Sequence, residues 1–129
     1  MSFTAFLVFD DDLDNPVELV AARDWLEQSI DDKGMPSSKM RGGRFTMVLR
    51  TFDGRVTEWV ASSTLRKSGR IRFMRKDQNS VADEWVFENA YCVAACFGFD
   101  DRRGQKALVG VSAERLTVRG VTLDNRWPA

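Results

Sequence analysis

Segments in which apolar and polar residues alternate dominate this chain, and they predict a protein built mainly from strands. Residues 2 to 9 are rich in Phe, Val and Leu, which suits a buried or half-buried strand. The acidic run from Asp10 to Pro16 predicts a turn. From Val17 to about Ile30, Arg23, Asp24, Glu27 and Gln28 lie among Val20, Trp25 and Leu26, and periodicity alone admits either strand or helix. Asp31 to Gly43 combines Gly, Pro and Ser with mixed charge and interrupts both periods, so it is expected to be a loop. Loops of that length in compact domains tend to be functional or mobile.

Arg44 to Phe52 is β-branched and aromatic, and it ends at the turn pair Asp53-Gly54. Arg55 to Leu65 is the one plausible helix, with Val56, Trp59, Val60 and Leu65 on one face and Glu58 in its first turn. Arg66-Lys67-Ser68-Gly69 places basic residues and then Gly where a helix end needs them. Arg70 to Arg75 alternates as a strand, with Ile71 and Phe73 on one face and Arg70, Arg72 and Lys76 on the other. Glu84 to Phe99 again has period two, placing Trp85, Phe87, Tyr91, Val93 and Ala95 opposite Val86, Glu88, Ala90 and Cys92. A strand apolar on both faces is normally covered on both, and in a small domain the second cover can be another subunit. After a turn at Asp100 to Gly104 come strands at Gln105 to Val118 and Val121 to Trp127. The expectation is six or seven strands with one short helix, and no repeat or linker.

At 129 residues the chain fits one domain, 1–129, able to bury roughly two thirds of its unfolded surface. Lys plus Arg equals Asp plus Glu at 19 each, so no net field attracts phosphate backbones or anionic lipid, and no stable partnership with nucleic acid or membrane is expected. Neutrality also removes the self-repulsion that opposes ordered self-association. The N-terminal segment lacks the basic start and cleavage site of a secretory signal, which implies cytosolic assembly unless a dedicated machine exports the protein. Cys92 and Cys96 on one extended strand would share a face about 13 Å apart, too far to bridge, and both are expected to be small core residues.

The chemistry of catalysis is sparse. The chain contains no His, which removes the commonest general base and metal ligand. Ser62-Ser63 lacks the flanking Gly of a nucleophile elbow and falls inside the expected helix. Arg41-Gly42-Gly43-Arg44 leads into a strand rather than a helix N-terminus, so phosphate binding is disfavoured there. Asp10, Asp11, Asp12, Asp14 and Asn15 miss the spacing of a calcium loop. No catalytic residue, cofactor or metal is assigned. The basic set Arg66, Lys67, Arg70, Arg72, Arg75 and Lys76 resembles a nucleic-acid strip, but Asp77, Asp83, Glu84 and Glu88 cancel much of its field. A solvated face or salt bridges to a neighbouring subunit explain it better.

Several motifs in series resemble one known family. They are Pro36-Ser37-Ser38-x-x-Arg41-Gly42-Gly43, Glu58-Trp59-Val60-x-Ser62-x-Thr64, Lys67-Ser68-Gly69-x-Ile71-x-Phe73, Phe87-x-Asn89-Ala90-Tyr91-Cys92-Val93, and Val118-x-Gly120-Val121 with Trp127. Their order and spacing are similar to the TssD branch of the Hcp inner-tube proteins of bacterial type VI secretion systems. The resemblance implies a compact β-barrel of two packed sheets with one short helix and a long extended loop, and it decides Val17 to Ile30 in favour of strand. It further implies a structural rather than enzymatic role: homohexameric rings stacked into a tube, expelled on sheath contraction and able to carry effectors. Implied partners are other copies of the chain, sheath, baseplate and spike proteins, and effectors in the lumen. By position, the extended segment comprising Asp32, Lys33, Gly34, Met35, Pro36, Ser37, Ser38, Arg41, Gly42 and Gly43 would reach a neighbouring subunit or the next ring. Replacing Gly42 and Gly43 with Asp is expected to block stacking and spare the monomer fold. Competing expectations are a tail-tube protein of a phage or other contractile particle, and a monomeric β-barrel that binds a ligand in its concavity.

Overall fold

The computed structural model describes residues 3–27, 32–33, 41–75, 80–125 and 127. The elements are β1 (Phe3–Phe9), β2 (Asp12–Glu27), β3 (Arg41–Leu49), α1 (Gly54–Ala61), β4 (Lys67–Arg75), β5 (Ser80–Asp100), β6 (Gly104–Val118) and β7 (Val121–Asp124). They form one seven-stranded sheet in the order β3-β2-β1-β4-β5-β6-β7, in which β3 also pairs with β6. That antiparallel pairing runs from Arg44 opposite Ser112 to Leu49 opposite Ala107 and closes the sheet into a barrel. The two packed walls are therefore parts of one continuous sheet. Closure satisfies backbone groups that an open sheet would leave at its edges.

Period-two patterning fills the barrel. Phe45, Met47 and Leu49 point inward from β3, and Ala107, Val109, Val111 and Ala113 from β6. They meet Leu7, Phe9, Ile71 and Phe87 in a single core. The helix adds Val56 and Trp59 to it. Trp59 packs edge-on against Phe9 at 5.6 Å and stacks with Phe87 at 6.1 Å. Its indole N–H donates to the carbonyl of Ala90 at 2.9 Å, which settles the one polar atom of a buried ring.

Local side chains set the limits of the helix. Asp53 is the N-cap, its carboxylate accepting from the Arg55 backbone N–H at 2.9 Å. At the other end the Ser62 hydroxyl accepts from the N–H groups of Thr64 and Leu65, turning the chain out of the helix. The helix therefore stops at Ala61 rather than Leu65, Ser62 and Ser63 lie beyond it, and Glu58 is outside its first turn. Gly69 does not terminate the helix. It sits within β4, where a Cβ would lie 2.4 Å from the Val8 carbonyl oxygen, so β1 and β4 approach as closely as they do only because it is glycine.

Two further expectations change for electrostatic and geometric reasons. Only Asp10 and Asp11 form the turn after β1, and β2 begins at Asp12, four residues before Pro16 would have ended the expected turn. Arg55 pairs with Asp12 at 3.0 Å and Asp53 at 2.8 Å, and Asn15 donates to Asp12 at 2.8 Å, so the first carboxylate of β2 is neutralised within the strand's own surroundings. In β5, Trp85 and Phe87 are inward, but Asn89 adopts a positive φ of 52°, a conformation that Asn tolerates better than most residues. Beyond it Ala90 and Cys92 are inward while Val93 is outward, so the expected aromatic face does not persist along the strand. A register shift against β6 between Cys92 and Ala94 then leaves Cys92 buried and Cys96 exposed. Only Cys92 is a core cysteine, and burial pushes its thiol pKa up.

The Asp53–Arg55 pair carries a pH signature. Hydrogen bonding from the Arg55 side chain holds the Asp53 carboxyl below its ordinary value of 3.8. A carboxylate whose folded pKa is depressed stabilises the fold above its unfolded pKa, and that contribution fades as pH falls through the folded value. Asp53→Asn keeps a competent cap and removes the charge. It is expected to lower stability by about 1 kcal/mol at neutral pH, with the gap to wild type closing below about pH 4. Thermal melts from pH 7 to pH 2 measure it; a gap constant with pH would show that the ion pair contributes nothing.

Candidate assembly surfaces

The extended segment expected to reach a neighbour is divided by the fold. Asp32 and Lys33 form an exposed turn, while Gly34, Met35, Pro36, Ser37 and Ser38 lie outside the described residues. Arg41, Gly42 and Gly43 are not loop but the first residues of β3, with Arg41 opposite Glu27. Gly43 has a φ of +87°, and a Cβ there would stand 2.6 Å from the Ala113 carbonyl oxygen and 2.6 Å from the Asn125 side-chain nitrogen. The Gly42/Gly43 double Asp substitution thus would not spare the monomer fold, because Gly43 is packed against the barrel's own backbone.

The β5–β6 hairpin presents a surface that the segment reading missed. Strand β4 accompanies β5 only as far as Lys67 opposite Ala90. From Ala94 to Asp100 the partner of β5 is β6 alone, up to the turn at Gly104. This stretch exposes Val93 at 62%, Phe97 at 41%, Phe99 at 75% and Leu108 at 51%. Phe97 rests edge-on against Phe52 at 5.5 Å, and Phe52 is itself exposed. An apolar strand with one open edge invites pairing with another chain. The available sequence signal was the run Phe97-Gly98-Phe99 beside a charged turn, an apolar strand end that no described residue beyond Phe52 covers.

Beside the root of that hairpin, the wall of the barrel is hollowed. A cavity of about 380 Å³ is lined by Arg23, Asp24, Arg44, Phe45, Thr46, Val93, Gly110 and Val111. Gly110 supplies no side chain, and the bulge before Ala94 turns Val93 outward along its edge.

The basic strip is largely consumed within the chain. Lys67 pairs with Asp11 at 3.4 Å, and Arg70 and Arg72 both reach Glu84, at 3.3 and 3.0 Å. These bridges are internal rather than directed at a neighbour. Arg66 instead covers the Tyr91 ring, its Nε donating to the phenol oxygen at 2.8 Å. Tyr91 in turn contacts Trp127 at 5.3 Å. Glu114 holds that end of the chain, accepting from the Trp127 backbone N–H at 2.9 Å and the Asn89 side chain at 3.1 Å. Among the described residues, no group of three or more His, Cys, Asp or Glu side chains is placed to hold a metal ion. No described helix is long and apolar enough to cross a membrane.

A closed antiparallel barrel with one docked helix and an uncovered apolar hairpin defines a β-barrel subunit of a larger assembly. The family pattern of hemolysin coregulated protein Hcp (TssD) matches residues 1–128. The chain belongs to that family and is a tube subunit of the type VI secretion class. Among solved structures, Hcp1 from Flavobacterium johnsoniae is similar at 26% identity with a TM-score of 0.84, covering 95% of this chain and 99% of that one. Hcp1 from Salmonella typhimurium shares the fold at 14% identity and a TM-score of 0.71, covering 95% and 92%. The sheath-tube complex of an extracellular contractile injection system, PVC, in its extended state contains a chain of the same fold at 16% identity and a TM-score of 0.60, covering 92% and 88%. No curated protein matches the sequence.

Proposed function

We propose that the chain is a single-domain structural unit that assembles into homohexameric rings, and that these stack into a tube within a contractile sheath. Sheath, baseplate and spike proteins are its partners, effectors travel in the lumen, and the whole is exported when the sheath contracts. The protein itself performs no catalysis in this reading. The observation that carries it is the β5–β6 hairpin, whose open edge and exposed Val93, Phe97, Phe99 and Leu108 have no cover among the described residues. A monomeric ligand-binding barrel would have no use for such a surface, which is a liability in solution. The segment from Asp32 to Gly43 is proposed as a second contact, between neighbouring subunits or successive rings.

The family relationship supports this reading, and the absence of net charge permits it. The fold shared with a chain of an extracellular contractile sheath-tube complex supports the related alternative of a free contractile particle. Co-purification with membrane-complex proteins, rather than with a free sheathed particle, separates the two. Light scattering coupled to size exclusion, followed by negative-stain imaging, is expected to return annular particles of six subunits. A single-copy species at high protein concentration would reject the assembly.

A further inference from the structure

We propose that Phe52 is a brace that holds the projecting end of the β5–β6 hairpin at a fixed angle to the barrel, and that this fixed angle lets copies close into a ring. The inference rests on the hairpin being a contact between copies, and it names the residue that positions that contact.

The end of the hairpin has no support from the rest of the sheet. Strand β4 leaves β5 at Ala90, and β3 leaves β6 at Ala107. The pairs from Gly98 opposite Lys106 to Asp100 opposite Gly104 therefore hold only each other. Every residue from Cys96 to Gln105 is exposed. Two strands without a third are marginal in water, so an arm of this kind swings about its root unless something outside the pair holds it.

Phe52 is placed to do so. Its ring meets Phe97 edge-on at 5.5 Å, and its backbone N–H donates to the Gln105 side chain at 3.3 Å. Phe97 belongs to β5 and Gln105 to β6, so one residue touches both strands of the arm. Gln105 is opposite Phe99, and Phe97 is two residues from Phe99, so both contacts fall on one face of the arm. Phe52 is itself anchored on either side. Before it, the Arg50 backbone N–H donates to the Glu18 carbonyl at 3.1 Å and the Arg50 side chain pairs with the Glu18 carboxylate at 3.3 Å. After it, Asp53 caps α1 and is tied through Arg55 to Asp12. Glu18 and Asp12 both lie in β2, so the brace stands on the barrel.

Exposure distinguishes this contact from core packing. Phe52 is 40% exposed and Phe97 41%, so their pairing joins arm to body rather than filling the interior. Phe99 lies beyond the brace at 75% exposure and is left for a neighbouring copy. An arm already pointing in its bound direction loses less freedom on contact. A head-to-tail joint also closes a ring only when its rotation repeats from copy to copy.

The test uses the full-length chain with the exposed Cys96 changed to Ser and nitroxide labels on Asp101→Cys, at the arm tip, and Glu58→Cys, on the helix. Below the concentration at which rings form, pulsed electron resonance is expected to return one narrow distance distribution. Adding Phe52→Ala is expected to broaden it. In unlabelled protein, Phe52→Ala is expected to raise the concentration needed for rings about three- to tenfold, and Phe52→Tyr to keep both properties near wild type. A residue that merely stabilised the fold would lower the urea midpoint without widening the distribution. An equally narrow distribution in Phe52→Ala would overturn the brace, as would rings formed by that variant at the wild-type concentration; either leaves the hairpin contact standing. Rings formed equally well by Phe99→Asp would overturn the hairpin contact and the brace's role with it.

Discussion

Trp59→Ala is expected to remove about 3–5 kcal/mol of stability through lost packing alone. The ring is fully buried and touches Phe9 edge-on and Phe87 face to face, so its loss removes packing from both. The same change leaves the Ala90 carbonyl without the indole donor, adding about 1–3 kcal/mol for a buried acceptor. Against a total of about 5–15 kcal/mol for an ordinary domain, the variant is expected to be largely unfolded or close to it at 37 °C. Urea titration followed by far-UV circular dichroism measures the loss. Trp59→Phe keeps an aromatic ring against Phe9 and Phe87 and deletes the donor, so it should cost much less; equal losses in the two variants would show that the hydrogen bond, not the packing, dominates.

The second large effect is expected at Gly43. Its φ of +87° excludes most side chains on conformational grounds, and a Cβ would press on the Ala113 carbonyl and the Asn125 side chain at 2.6 Å. Asn125 itself donates to that carbonyl at 3.0 Å, so the intruding methyl displaces a bond that ties the C-terminal segment to β6. Gly43→Ala is expected to cost about 2–4 kcal/mol, combining the left-handed backbone penalty with overpacking. Gly104 provides the internal control. Its φ is +77°, yet a Cβ there meets nothing within 4 Å, so Gly104→Ala isolates the backbone penalty. Urea midpoints that fall equally in the two variants would remove the packing argument. If Gly43→Ala falls further, faster hydrogen exchange at the Asn125 amide should accompany it.

Gly43 also bears on how assembly is probed. Loss of rings in a Gly42/Gly43 double Asp variant would report a damaged barrel as readily as a blocked contact. The hairpin residues are better suited, since Phe99 and Asp101 are exposed and changing them leaves the core untouched.

The chain's own order of residues specified a great deal. The β-branched and aromatic content of Arg44 to Phe52 and the segment Gln105 to Val118 marked strands that the barrel contains as β3 and β6, because strand preference is expressed locally along the backbone. Trp59 and Val56 were legible as a buried helix face because helical spacing is local in the same way. The motif series from Pro36 to Trp127 identified the family before any fold was known.

What depended on the closed barrel was everything involving a partner distant in sequence. Asn89 and the bulge after Cys92 reverse which side chains of β5 face inward, and a period-two pattern read along one strand carries no trace of them, because a bulge is defined against the neighbouring strand. Gly69 and Gly43 read as loop or helix-end residues until Val8 and Ala113 were brought against them. The open edge of the hairpin and the hollow beside it exist only once β3 has met β6 and β4 has stopped short of Ala94: the run Phe97-Gly98-Phe99 signals an apolar strand, but where its edge is left open is set by where other strands end.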